Sequence, residues 1–343
     1  MNWLKNSFYL IVISLVFLLA ACAGETTSNT NEAAAEENNE TTASEKENTS
    51  NYPTKPVTLM IPFGAGGSTD LFARHFASIA EEHLGKRIIV KNETGGGGLT
   101  MYQSLYRANP DGYEMALGLG TTLYAVNPHL NMIDYDKDDF TLIRPTFGYQ
   151  YMIAASKDAP FKTFEELVQY SKDNKVNVAS ASIVNSLFIE LIKQAENDEL
   201  QWDIVNYNGA GEATAALMGG HVDISVDPPI TYLGPAESGE INLLATLNDN
   251  RVDILKDVPT LRELGYDDLV LNAVIGVGGP LDLPDDVVKK WDEVIVKTLE
   301  DPRIAEFINQ NGFISIDMSQ DELMDYFENM SEDFGNVIDR VVQ

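Results

Sequence analysis

Val57-Thr58-Leu59-Met60-Ile61 runs straight into Pro62-Phe63-Gly64-Ala65-Gly66-Gly67-Ser68-Thr69-Asp70, after which Phe72, Phe76, Ile79, Ala80 and Leu84 recur at helical spacing. A short unbroken apolar run reads as a buried strand, the glycine-rich stretch as a turn, and the periodic residues as one face of a helix. The same alternation continues along the chain. Strands are predicted near 87–91, 113–118, 149–155, 176–180, 203–207, 222–226, 242–246 and 270–277, and helices over 163–173, 186–196, 210–219, 285–299, 302–310 and 320–340. That order is the signature of an α/β fold with largely parallel sheets. No repeat of solenoid period is visible. The extended runs at 147–155 and 272–278 flank a self-contained set of strands and helices, so two lobes are expected: 53–150 together with 275–343, and 151–274.

The opening turn carries the chemistry. Glycines let backbone N–H groups approach a ligand closely, and the first turn of the following helix adds unpaired donors and a positive dipole end. Together these suit an anion. The turn lacks the Gly-Lys-Ser/Thr ending of a phosphate loop, and no G-x-G-x-x-G fingerprint follows a strand, which disfavours nucleotides. The plain structural alternative is a tight strand-to-helix turn capped by Ser68 or Thr69, with Asp70 complementing the helix dipole.

The N-terminus bears on location. Lys5 precedes an apolar run from Phe8 to Ala21 that ends Leu19-Ala20-Ala21-Cys22. The run is too short for a spanning helix and reads as a signal peptide over residues 1–21. The small residues before Cys22 resemble a bacterial lipobox, which implies a lipid-modified cysteine at the start of the mature chain. An ordinary signal peptide with an incidental cysteine is the alternative. Residues 22–52 hold no large apolar residue before Tyr52 and are expected to form a disordered acidic tether. The mature protein is then held at the outer face of the cell membrane without crossing it.

Composition narrows the function classes. With 343 residues and 44% hydrophobic content, the chain is long enough for two cores. Its 53 acidic against 23 basic side chains give a formal charge of −30, the wrong sign for nucleic acid or an anionic membrane surface. The single cysteine forms no internal disulfide. His75, His83, His129 and His221 are scattered without metal-ligand spacing, and no serine lies in G-x-S-x-G. Nothing here asks for a metal, a cofactor or catalytic residues.

Lys55-Pro56-Val57 leading into Pro62–Asp70 resembles the opening of the tripartite tricarboxylate transporter receptors, also called the Bug family. Several later segments resemble that family's signatures in the same order: Gly95–Gly98, Asn109-Pro110-Asp111-Gly112-Tyr113, Asn127-Pro128, Asp138-Asp139-Phe140, Val205–Gly209, Gly219–Asp223 and Asp257–Leu261. The likeness spans roughly 53–320. It implies a two-lobed, type II-like periplasmic binding protein, acting as a monomer. Such a protein closes on a di- or tricarboxylate or an aromatic carboxylate and delivers it to the membrane subunits of a tripartite tricarboxylate-type transporter. Matched position by position, the resemblance assigns ligand contacts to Phe63, Ala65, Gly66, Gly67, Ser68, Thr69 and Asp70, to Thr121 and Thr122, to Ser180, Ala181 and Ser182, and to Asp227 and Pro228. Where the family places a glycine-rich turn, this chain has Ile183-Val184-Asn185-Ser186; the bulky pair either reshapes the pocket or packs inward.

The acidity of the chain does not bar an anionic ligand, because charges beyond a Debye length of about 8 Å count little beside donors at contact distance. Tyr207 walls the pocket or packs in a core; Trp291 and Phe307 read as packing. An α/β enzyme is disfavoured because these loops offer small neutral donors without a matched acid, base or nucleophile. A sensor subunit presenting its ligand to a membrane kinase stays open beside the transport receptor.

Overall fold

The computed structural model describes residues 51–130, 134–251, 253–316 and 318–341. The predicted signal peptide, Cys22 and the tether up to residue 50 lie outside the described residues. Tyr52, read above as the tether's last residue, is held by the fold: its hydroxyl donates to the Gly112 carbonyl and accepts from Trp291 Nε1 at 2.7 Å.

The elements alternate as the hydrophobic pattern requires. They are β1 (Val57–Ile61), α1 (Ser68–Leu84), β2 (Ile88–Asn92), α2 (Leu99–Tyr106), β3 (Glu114–Gly120), β4 (Phe140–Gln150), β5 (Met152–Ser156), α3 (Phe164–Asp173), β6 (Val176–Ser180), α4 (Ile183–Ala195) and β7 (Trp202–Asn206). There follow α5 (Ala210–Met218), β8 (Ile224–Asp227), α6 (Leu233–Glu237), β9 (Ile241–Thr246), β10 (Asn272–Pro280), α7 (Asp285–Leu299), α8 (Pro302–Asn311), β11 (Phe313–Ile314) and α9 (Gln320–Gly335).

Val57, Leu59, Met60 and Ile61 are all buried, as a central strand covered on both faces must be. Phe72, Phe76, Ile79, Ala80 and Leu84 bury one stripe of α1, which stops at Gly85 because glycine takes the left-handed C-cap (φ 77°) without strain. The first sheet runs β11-β4-β10-β3-β1-β2 and the second β7-β6-β8-β5-β9, giving an α/β protein of two lobes.

The expectation of largely parallel sheets is corrected. β1 pairs in parallel with β2 and β3, and β6 with β7 and β8. β10 is antiparallel to β3 and β4, β11 to β4, and β5 to β8 and β9. Two of the reversed strands, β5 and β10, stand where the chain passes between lobes: β4 leads directly into β5 with only Tyr151 between them, and β10 returns from the second lobe; the third, the two-residue β11, follows α8 within the first lobe. Asn272 already pairs with Gln150, so β10 joins the first sheet there, upstream of residue 275.

An aromatic series passes through the crossing. Phe147, Tyr149, Tyr151 and Phe188 meet at centroid separations of 5.0, 6.0 and 4.8 Å, and Phe188 meets Phe334 at 5.8 Å. The C-terminal stretch therefore touches both lobes: Tyr326 donates to the Asn272 carbonyl, while Arg340 pairs with Asp198 beyond the end of α4. Ile183 and Val184 are both buried in the main core, and Ile183 also borders a cavity at the N-terminus of α4.

Candidate functional site

Two strand-to-helix turns, one from each lobe, face each other across a narrow cavity. From the first lobe it is lined by Phe63, Gly67, Ser68 and Thr69, from the crossing by Tyr149 and Tyr151, and from the second lobe by Ala181, Ser182, Asn185, Ala210, Asp227 and Pro228. The free space is about 20 Å³, room for one or two waters.

The turn after β1 is built to present amides. Gly67 is the N-cap of α1 and has no side chain to cap with, so no side-chain oxygen occupies the first-turn N–H groups. Ser68 and Thr69 are therefore not the caps that the structural alternative supposed. Both are buried against the cavity, and the Thr69 hydroxyl shares a 2.5 Å hydrogen bond with the Tyr149 phenol. Asp70 turns back on its own loop, accepting from the Gly66 amide, from Arg74 Nε and from Asn92 Nδ2, each at 3.0 Å. Burial alone would raise this carboxyl, but those three donors outweigh it and hold it below the usual carboxylate range. It stays charged and fixes the turn.

The second-lobe turn works differently. Ser182 caps α4 through the Asn185 amide, and Ser180 donates to the Ser182 carbonyl at 2.9 Å. Asn185 then reaches across to β8, donating to the Val226 carbonyl and to Asp227 Oδ1, both at 2.7 Å. Asp227 also accepts from Ser225 at 2.7 Å and from Tyr232 at 3.3 Å. It is fully buried, and burial outweighs these donors, pushing its pKa up to about 7.

Of the residues the sequence nominated, Phe63, Gly67, Ser68, Thr69, Ala181, Ser182, Asp227 and Pro228 line this cavity. Asp70 and Ser180 stand behind it as supports. Ala65 and Gly66 instead meet Gly211 of α5 at the contact between lobes. Thr121 and Thr122 are buried elsewhere in the first lobe, where Thr121 Oγ1 accepts from the Val274 amide at 2.9 Å. Tyr149, Tyr151, Asn185 and Ala210 line the cavity without having been nominated. A wider space of about 370 Å³ adjoins it through Ser182 and is walled by Gly96, Gly97, Ile183, Ser186, Asn206, Tyr207, Asn208 and Val341. Tyr207 thus faces this outer chamber. Among the described residues no three His, Cys, Asp or Glu side chains stand together as a metal site.

The family model for the tripartite tricarboxylate transporter family receptor matches residues 72–342. The chain belongs to that family. It is a solute-binding receptor family rather than an enzyme family, and its members act outside the cytoplasm. Among curated proteins, this receptor is 30% identical over 271 residues to an Agrobacterium vitis UPF0065 protein of the TAR-I ttuE-ttuC' intergenic region, covering 78% of each chain. It is 24% identical over 297 residues to BugT of Bordetella pertussis, covering 85% of this chain and 90% of that one. Among solved structures, the periplasmic binding protein BugD superposes with a TM-score of 0.78 at 27% identity, over 84% of the receptor and 98% of BugD. MatC of Rhodopseudomonas palustris, solved with bound malate, superposes at 0.75 over 84% of the receptor and all of that chain; at 24% identity this shows the shared fold. No helix of the described residues is long and apolar enough to cross a membrane.

Proposed function

We propose that this receptor captures a small organic anion, a di- or tricarboxylate or an aromatic carboxylate, between its lobes and hands it to the membrane subunits of a tripartite tricarboxylate-type transporter. The observation that carries this reading is the convergence of two helix N-termini, those of α1 and α4, on one cavity from opposite lobes. Each contributes partial positive charge and unpaired amides. Ser68, Thr69, Ser182 and Asn185 add neutral polar side chains, and no Lys or Arg lines the space. A charged carboxylate held by oriented neutral donors binds tightly yet leaves when the lobes open, which is what a delivery protein needs. The wider outer chamber would receive the remainder of the ligand.

Anchoring through a lipid on Cys22, with residues 22–52 as tether, and action as a monomer complete the proposal; the sequence pattern Leu19–Cys22 supports the first. Mass spectrometry of small molecules released on denaturing the purified receptor tests the ligand class. An organic acid recovered in near-stoichiometric amount is expected. A released amine, sugar or metal complex would overturn it.

A further inference from the structure

Tyr151 is the single residue between β4 and β5, so it stands at the point where the chain passes from one lobe to the other. Its backbone is fixed by the Leu247 amide, which donates to its carbonyl at 2.8 Å, and its ring by Tyr149 and Phe188. The side chain is 96% buried, being only 4% exposed, and lines the cavity. Its polar neighbours are all engaged: Thr69 with Tyr149, and Asp227 with Asn185, Ser225 and Tyr232. Among the described residues the Tyr151 hydroxyl has no hydrogen-bond partner. Nor is it one of the polar atoms sealed from solvent, so its oxygen retains access to the cavity.

A buried hydroxyl in a native protein nearly always has a partner, and one left open at a binding cavity points to a partner that comes and goes. Burial holds this phenol well above its ordinary pKa, so it is an O–H donor at any physiological pH. We propose that Tyr151 is a ligand contact that couples capture to closure, its hydroxyl donating to a carboxylate oxygen of the bound anion. The ligand would then tie together three parts of the molecule: the first-lobe turn, the second-lobe turn and the crossing strand about which the lobes move. Nothing in the sequence marks Tyr151, which reads there as one apolar residue of a continuous strand. This assignment rests on the proposed capture of a carboxylate.

The test is Tyr151→Phe, which keeps the ring and removes only the hydroxyl, with Tyr149→Phe as the contrasting variant. Melting without ligand is read first. Tyr151→Phe should melt no lower than the parent, because no protein hydrogen bond is lost, whereas Tyr149→Phe deprives Thr69 of its partner and should melt lower. The parent and Tyr151→Phe are then titrated with succinate, L-malate, citrate and benzoate. Affinity for the tightest of these should fall about tenfold or more in Tyr151→Phe. A lowered melting temperature without ligand, or unchanged affinity for an acid the parent binds, would overturn the assignment alone. A parent that binds none of the acids would remove the carboxylate reading and this assignment with it.

Discussion

The amide of Gly64, in the first lobe, donates to the carbonyl of Asn208, in the second, at 3.0 Å. The two glycine-bearing turns meet here backbone to backbone, and there is no space for more: a Cβ on Gly209 would stand 3.0 Å from the Gly64 nitrogen, and one on Gly211 would stand 3.3 Å from the Ala65 carbonyl oxygen. The glycines that meet here adjoin the cavity without lining it; Gly67, which does line it, lies beside the same contact, where a Cβ would stand 3.5 Å from the Ala210 nitrogen. Capture and closure are neighbouring functions of the same two turns.

Gly211→Val separates these roles. Gly211 lies in α5 with ordinary backbone angles, and replacing a helical glycine does not weaken the helix. The branched side chain pushes against Ala65 and Gly66 and should hold the lobes apart. Ligand affinity should fall tenfold or more with little change in melting without ligand, and small-angle scattering should show a larger radius of gyration when ligand is present than the parent shows.

Replacing both Ser68 and Thr69 with alanine should weaken capture by an order of magnitude or more, if each hydroxyl contributes about 1 kcal/mol or more to a charged group. Titration calorimetry reads this directly. Unchanged affinity would reduce both to packing residues of the turn.

Asp227 sets a pH dependence. Its folded pKa, about 7, lies above the ordinary value of 3.8, so between these limits the folded state binds a proton that the unfolded state has released. Stability conferred by this group is greatest at acid pH and declines as pH rises from about 4 to about 7, by an amount of the order of a few kcal/mol. Denaturant unfolding should show Asp227→Asn gaining on the parent at pH 8 and losing that advantage at pH 5. Anion affinity of the parent should weaken over the upper part of that range, as a negative charge develops on the cavity wall.

Asn185→Ala removes the link between α4 and β8. It leaves the Val226 carbonyl and Asp227 Oδ1 without their donor, at a cost of about 1–3 kcal/mol for the buried groups stranded. Urea midpoints should shift accordingly, and more at pH 8 than at pH 5, because the charged form of Asp227 depends on this donor more than the neutral form.

The fold was legible where the apolar pattern is local and clear. The β1-turn-α1 unit reads from Val57 to Leu84 because its strand is apolar at every position but Thr58 and its helix has one apolar stripe. The first part of β4, residues 140–146, did not read as a strand, since most of its side chains are half-buried and no period emerges. α2 was missed as well: at eight residues, directly after a glycine run, it is too short for a clear stripe. The direction of β5 and β10 depends on how the lobes are joined, which no local pattern encodes. At the site, the glycine-and-hydroxyl turns carry a chemical signature in the sequence. Tyr149, Tyr151 and Ala210 carry none, because each looks like ordinary core until the second lobe is placed opposite the first. Asn185 was noticed only as part of a departure from the family's turn.

Thermal melting of the receptor, unfolded and refolded to strip any carried ligand and then mixed with a panel of organic acids, tests the central claim most directly. At an acid concentration of about 100 times its dissociation constant, mass action adds about 2.7 kcal/mol. For a protein of this size that amounts to a rise of roughly 5 °C, seen with at least one di-, tri- or aromatic carboxylate and lost in the Ser68→Ala, Thr69→Ala double variant. A melting temperature unmoved by every carboxylate, or moved equally in the double variant, would contradict an anion site between the two turns.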